Sequence, residues 1–510
     1  MSRRQTARLL PAMSAVPLQP SFEEFQAFAA QGNLIPVWAE LTADYETPLS
    51  AFEKIADGAP RFLFESAETT GFSGRYSFMG AHPRAVIIAR GREVEVKHRD
   101  GKVESFQTKS DPLHDLQDFM AKFRPVPQPR LPIFCGGAVG VLTYDMVRFF
   151  EPSVPAAPKD ELGLPEMVFL IADSLVVFDH RYRLMQVVVN VCITDFPDAR
   201  SAYDDAQQKI TEMIERLSRP LHVKPMAAVP AATPDTAVSN TTREEYLGMV
   251  EKAKEYIRAG DIFQVVPSQR FEVPYAGRPI ELFRALRHVN PSPYMFCMEF
   301  GDFSLVGSSP EVHVRCMNGR VDIRPIAGTR WRGKTEAEDN ALAAELLADE
   351  KERAEHIMLV DLARNDVGRI STYGSVVVSD LMTIERYSHV MHIVSNVHGT
   401  LARDKTAYDV MRATFPAGTV SGSPKVRAMQ VINEMEKSKR CAYAGAVGYF
   451  GFDGNHDSCI ALRTVVLRNG KAYVQAGAGI VADSVPESEY TETVNKAAAA
   501  LRAVERAGRL

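Results

Sequence analysis

The sequence predicts an α+β fold, and three features of its pattern lead there. Strand signals come in runs; glycine turns separate stretches that alternate apolar and polar residues; and long helical segments follow in the second half instead of alternating singly with strands. With 510 residues, 45% hydrophobic and 24% charged, the chain can bury a large core.

Residues 1–22 carry Arg3, Arg4 and Arg8 and no acid before Glu23. An organellar transit peptide shares that composition, but a frayed N-terminus is the plainer expectation. A first domain is expected over 23–217. Within it Ala85 to Phe106 (AVIIARGREVEVKHRDGKVESF) alternates around glycine turns as antiparallel hairpins, and Ser201 to Leu217 has the periodicity of an amphipathic helix. The most apolar run, MVFLIADSLVVF from Met167 to Phe178, carries Asp173 and falls short of the roughly 20 residues a membrane helix needs. Pro220, Pro225, Pro230 and Pro234 then interrupt an Ala/Val/Thr-rich stretch, read as a linker over 218–242, before Thr242 and Glu245 open a helical pattern.

A second domain is expected over 243–510. Phe303 to Thr329 reads as hairpin strands, and Thr335 to Arg364, Pro424 to Glu436 and Glu487 to Ala507 read as helices. GGAVGVLTYD (Gly136 to Asp145) is echoed by AGAVGYFGFDG (Ala444 to Gly454), a likeness that two glycine-rich core strands in close backbone contact account for without a duplication.

Charge and cysteine content exclude several function classes. The net charge of −5 and pI near 6.2 leave no sequence-wide basic field, so neither nucleic acid nor a membrane surface is an expected partner. Six scattered cysteines without a C-x-x-C pair read as reduced thiols of a cytoplasmic protein.

Two acidic pairs are the chemistry-bearing features. Glu352 and Glu355 lie three residues apart on a helix face that continues as Leu359 and Leu362; Glu489 and Glu492 repeat the spacing near the C-terminus. Solvated acidic helix starts would look the same, and Glu492 has Lys496 at i+4 as a simple partner. Together the pairs point to a shared hard cation. Glycine clusters stand at Ile326 to Arg330, Phe415 to Lys425 and Val474 to Ser484; none follows a nucleotide-binding spacing. His389 and His392 lack the ligand set of a zinc site, and no G-x-S-x-G elbow is present.

Ordered motifs over about 245–500 resemble the chorismate-utilising enzymes, within them the anthranilate synthase component I branch. They include GDIFQVVPSQRF, NPSPYMF, GSSPE, RPIAGTR, ERAEHIMLVDLARNDVGRI, HVMHIVS, PAGTVSGSPKVRAM, YAGAVGY, ALRT and QAGAGIVADS; FESAE and GRYSFMG extend the match to the N-terminal half. Phe64 stands where the family usually has Leu, and Trp331 where Pro often follows IAGTR.

The resemblance implies large antiparallel sheets packed face to face with helices outside. It implies Mg²⁺ on Glu355 and Glu492, supported by Glu352 and Glu489, and chorismate held by Gly328, Thr329, Tyr443, Arg463 and the backbone donors of Gly477, Ala478 and Gly479. It implies Glu311 as the acid that protonates the leaving hydroxyl and His392 as the group serving the elimination. Water-using relatives carry Lys where this chain has Gln264, which favours an ammonia nucleophile; aminodeoxychorismate synthases carry a nucleophilic Lys where this chain has Ala327. Ammonia would then come from a separate glutamine amidotransferase subunit, and L-tryptophan would act as feedback effector at Ser66, Pro293, Tyr294 and Met295. The competing readings are an aminodeoxychorismate synthase and a non-catalytic tryptophan-binding subunit.

Overall fold

The computed structural model describes residues 16–67, 74–226, 236–387 and 390–509, so residues 1–15, Glu68 and His389 lie outside the described part. Among the described residues, two twelve-stranded antiparallel sheets carry the fold. The apolar runs show why they pack face to face. Met167–Ala172 and Ser174–Asp179 are consecutive strands in different sheets, with Asp173 at the crossing. Val168, Leu170, Leu175 and Val177 meet in one core between the sheets; Met167, Phe169 and Ile171 face a second core, and Val176 and Phe178 a third. A strand buried on both faces needs no polar alternation.

The two outer cores are covered by helices. Phe52, Ile210, Phe283 and Leu501 close one, and Leu116, Val360, Val410 and Met429 the other. Among the described residues no helix is long and apolar enough to cross a membrane. All six cysteines are unpaired.

The expected division at 218–242 divides the chain but not the sheets. Arg61–Glu65 pairs with Tyr294–Glu299 in one sheet, and Gly137–Leu142 pairs with Ala446–Gly451 in the other, so 23–217 and 243–510 share both. The reason is burial: neither half has a sheet whose two faces it can cover alone. The second pairing also explains the internal echo. A Cβ on Gly140 would lie 2.0 Å from the Val168 carbonyl oxygen, and one on Gly448 2.1 Å from that of Asp457.

Three boundaries are corrected. Leu18–Gln19 pairs with the strand Leu34–Thr42 and Ser21 caps the helix Phe22–Phe28, so the described end of the segment expected to fray is part of the fold. Val238–Ser239 pairs with Ser268–Pro274, so the end of the expected linker belongs to a sheet; Thr242 and Glu245 then form a capping box. The single helix expected from Thr335 to Arg364 is two, Glu336–Ala348 and Glu350–Gly368. They break at Asp349, whose carboxylate takes the Lys351 and Glu352 amides at 3.0 and 3.1 Å and so starts a new helix.

Candidate active site

Two neighbouring strands pass together from one sheet to the other, and the site is built where they cross. Ser304–Ser309 pairs with Thr464–Arg468 in the first sheet, Val312–Met317 with His456–Ile460 in the second. Glu311 and Arg463 occupy the two crossings. Ser308 N–H donates to the Arg463 carbonyl at 3.3 Å and Ile460 N–H to the Glu311 carbonyl at 3.1 Å, which fixes both backbones. Arg463 is left-handed there, at φ 48°.

Burial raises the Glu311 carboxyl to about 7, against the opposing pull of the Thr419 hydroxyl, Lys496 and Arg463. Burial likewise lowers Arg463 from its ordinary value, with Glu311 resisting. This acid is therefore partly protonated at neutral pH.

His392 faces Thr329 across the pairing of Ile326–Trp331 with Val390–Thr400, where a bulge falls at Gly328. Gly328 is left-handed at φ 69°, and a Cβ there would press on the Glu352 carboxylate at 3.1 Å. The bulge turns the Gly328 carbonyl onto His392 Nδ1 at 2.9 Å. A carbonyl only accepts, so Nδ1 carries the proton and Nε2 the lone pair of the neutral ring. Burial lowers the His392 pKa, with the Gly328 bond opposing and Arg463 assisting, and keeps the ring neutral. Thr329 Oγ1 lies 3.1 Å from the same nitrogen.

Each acidic pair spans the first two turns of a helix. Asp349 begins the helix that carries Glu352 and Glu355, and Pro486, at the first position of Pro486–Ala507, begins the one that carries Glu489 and Glu492. Glu355 Oε1 accepts from Gln264 Nε2 at 3.2 Å. Burial raises the Glu355 pKa; Gln264 opposes, and the charges of Glu352 and Glu492 add to the rise. Glu489 is raised by burial, with Ser484 opposing and Glu492 adding. The charges of Glu352 and Glu492 thus reach Glu355, and that of Glu492 also reaches Glu489.

They do not form a closed cage. Among the described residues no three His, Cys, Asp or Glu side chains are grouped at metal-holding spacing. Glu352 is tied to Arg330 at 3.3 Å and Glu492 to Lys496 at 2.6 Å. One or two carboxylates completed by water and an anionic substrate are what Mg²⁺ accepts, so the donor set fits it.

Tyr443 and the 474–480 strand end close the circle. The Gly477 backbone hydrogen-bonds the Tyr443 hydroxyl, and the Gly477 carbonyl accepts from Lys496 Nζ at 3.2 Å. Three free amide donors were expected at Gly477, Ala478 and Gly479. That is corrected for two: Gly477 serves Tyr443, and Ala478 N–H donates to the Pro267 carbonyl at 3.3 Å. The strand end needs those bonds to dock beside Gln264. A groove of about 660 Å³ opens over Arg463, Glu492 and Lys496.

A second cavity lies between the sheets and is lined by Ser66, Pro293, Tyr294 and Met295 together with Glu65, Tyr449 and Asp457. Tyr294 donates to Asp457 at 2.9 Å, and Arg315 reaches the Tyr294 hydroxyl at 2.7 Å. Glu65 is raised by burial, with Arg287 opposing at 3.3 Å.

The sequence reading missed Lys496 at the groove, Thr419 beside Glu311, and Glu65, Arg315 and Asp457 at the second cavity. Lys496 had a visible signal, its i+4 spacing from Glu492, which reads equally well as a surface pair. Arg315 and Asp457 had none, because only the pairing of Val312–Met317 with His456–Ile460 places them together. Trp331 ends its strand 75% exposed.

Comparison with known proteins fixes the class. Residues 59–502 match the family model described as chorismate binding enzyme, and the chain belongs to that family. Among curated relatives, anthranilate synthase component 1 of Acetivibrio thermocellus is 46% identical over 495 residues, covering 96% of this chain and 99% of that one. The crystal structure of anthranilate synthase component I from Streptococcus pneumoniae superposes with a TM-score of 0.75 at 37% identity, covering 90% of this chain and 98% of that one. The menaquinone-specific isochorismate synthase of Escherichia coli has the same fold, with a TM-score of 0.67 at 19% identity over 95% and 98% of the two chains.

Proposed function

We propose that the chain is an anthranilate synthase component I, converting chorismate and ammonia to anthranilate and pyruvate with Mg²⁺, inhibited by L-tryptophan and served by a glutamine amidotransferase subunit. The reading is supported above all by Gln264. A neutral amide bonded to Glu355 stands where water-using relatives place a lysine base, and ammonia needs no deprotonation before it attacks.

Chorismate would bind with a carboxylate toward Arg463 and Lys496, the two cationic side chains of the groove. Ammonia adds at ring C2 as the C4 hydroxyl departs. Hydroxide is a poor leaving group, and Glu311, held near pH 7 by burial, gives the proton that converts it to water. The second step removes the C2 proton and expels the side chain as pyruvate, leaving the aromatic ring. His392 Nε2, with its lone pair fixed outward by the Gly328 carbonyl, receives that proton. Mg²⁺, when bound by Glu355 and Glu492 with Glu352 and Glu489 behind them, supplies charge that neutralises a substrate carboxylate.

The cavity between the sheets has the chemistry of an amino-acid effector site. The lining holds the Glu65 and Asp457 carboxylates, which would take an ammonium group, the Ser66 side chain, and the Tyr449 and Phe296 rings, which would pack against an aromatic side chain. Because both sheets wall it, an occupant bears on the strand crossings that hold Glu311 and Arg463.

Fluorescence-detected anthranilate formation from chorismate, Mg²⁺ and ammonium at alkaline pH, with and without EDTA, tests the reading. Metal-dependent anthranilate is expected. Chorismate consumed without anthranilate, or left intact by a folded protein, rejects it.

A further inference from the structure

Behind the catalytic groups lies a buried ion pair that no assigned role accounts for. Arg440 is 2% exposed, and Glu436 holds it through Nε at 2.9 Å and Nη2 at 2.6 Å. Its remaining donors reach the Val420 carbonyl at 2.8 Å and the Val266 carbonyl at 2.5 Å. The guanidinium lies over two rings, 4.8 Å from the centroid of Tyr144 and 5.5 Å from that of Tyr443. Glu436 in turn takes the Ser268 amide and hydroxyl, both at 2.8 Å.

Burying two charges is costly, and an apolar pair of similar volume would commonly be as stable or more so. The placement of the contacts gives the pair a reason to be there. Val266 follows the strand Gln264–Val265, whose Gln264 holds Glu355; Val420 follows Thr419, which faces Glu311; Tyr443 is bonded to Gly477. Val266 lies 174 residues and Val420 20 residues from Arg440, whereas Tyr443 follows it on the same segment, and all three touch one planar fork. Only a guanidinium can serve two carbonyls and a carboxylate while stacked between rings; an ammonium has neither the plane nor the reach.

We propose that Arg440, fixed by Glu436, is a positioning residue that sets the spacing of Gln264, Thr419 and Tyr443 around the substrate. The proposal rests on the reading of that site as the anthranilate-forming centre. Arg440 touches no substrate; it acts through the carbonyls of Val266 and Val420 and the face of Tyr443.

The test compares Arg440→Lys, Glu436→Gln and, as a control, Arg61→Lys in the full-length chain. Arg61 forms another buried pair, with Glu299 at 2.9 Å, and neither lines the groove. Anthranilate formation with ammonium is followed as kcat and KM, together with Tm. A shift of the order of an ångström in reacting groups costs about 10²-fold, so Arg440→Lys is expected to lower kcat/KM by about that factor and Glu436→Gln by about tenfold. Arg61→Lys is expected to lower Tm comparably while kcat/KM stays within about twofold, as for distant independent sites.

A double variant with Tyr443→Phe distinguishes positioning from general loosening. Because Arg440 works through Tyr443, the combined loss is expected to fall short of the product of the single losses. Full additivity, a kcat/KM for Arg440→Lys within about twofold of wild type, or an equal loss in Arg61→Lys overturns the proposal. If Arg440→Lys does not fold, the milder Glu436→Gln decides by the same criteria. A wild-type chain that makes no anthranilate rejects the functional reading instead, and is seen before any variant is compared.

Discussion

Replacing Glu311 by Gln removes a charge from a position where burial makes ionisation unfavourable. The folded carboxyl keeps its proton to about pH 7, against an ordinary value of 4.5, because burial outweighs the help of Thr419, Lys496 and Arg463. Between those two values the folded state binds more protons than the unfolded chain, so this group's contribution lowers stability as pH rises through the window. The shift corresponds to about 3 kcal/mol once both limits are passed. For a chain of this length the unfolding entropy is roughly 1 kcal/mol per kelvin, so Glu311→Gln is expected to raise Tm by about 3 °C at pH 8 and by almost nothing near pH 4. Calorimetry across that range measures the difference between variant and wild type directly. The same substitution removes the acid for hydroxyl departure and is expected to cost about 10²–10⁴-fold in kcat. A variant no more stable than wild type at pH 8, or a difference that does not grow between pH 4 and 8, refutes the electrostatic reasoning; activity within about tenfold of wild type refutes the catalytic role.

The remaining predictions follow from the same geometry. EDTA is expected to abolish anthranilate formation and added Mg²⁺ to restore it; Glu352→Gln and Glu489→Gln should weaken apparent Mg²⁺ affinity by about 10–100-fold, and Glu355→Gln and Glu492→Gln by more, measured by metal titration of activity. Gly479→Ala places a Cβ 2.8 Å from Gln264 Nε2; the flexible amide should give way, leaving Tm nearly unchanged and lowering kcat/KM by about tenfold, and full activity would show that the Gln264 position is not critical. Tyr294→Phe deletes the hydroxyl that links Asp457 to Arg315, and hydrogen bonds to charged groups are worth about 1.5–3 kcal/mol. Tryptophan should then inhibit at a concentration at least about tenfold higher with kcat unaltered; unchanged inhibition argues against this cavity as the effector site.

Local order along the chain decided much of what could be read early. The helices Ala199–Leu217, Lys425–Met435 and Pro486–Ala507 lie within a residue or two of their apolar periodicity, and the hairpins from Ala85 onward follow their glycine turns. Those signals are local, arising from backbone propensity and one-sided burial. The acidic pairs were visible for the same reason, since i and i+3 share a helix face. The break at Asp349 was not, because Asp at that position competes with the helix interior only through a cap that forms once the chain turns.

Residue types and their spacing therefore determined the α+β class, the long helices, the two carboxylate pairs and, through ordered motifs, the family. What only the tertiary structure decided is how those groups meet. Glu311 and Arg463 face each other because two paired strands change sheets side by side; both halves of the chain share both sheets because neither covers one alone; and Arg440, beside Tyr443 in the chain, joins it to Val266 and Val420 from two other segments. The first two depend on strand pairing over long sequence separation, where burial of both sheet faces selects the register and no neighbouring residue records it.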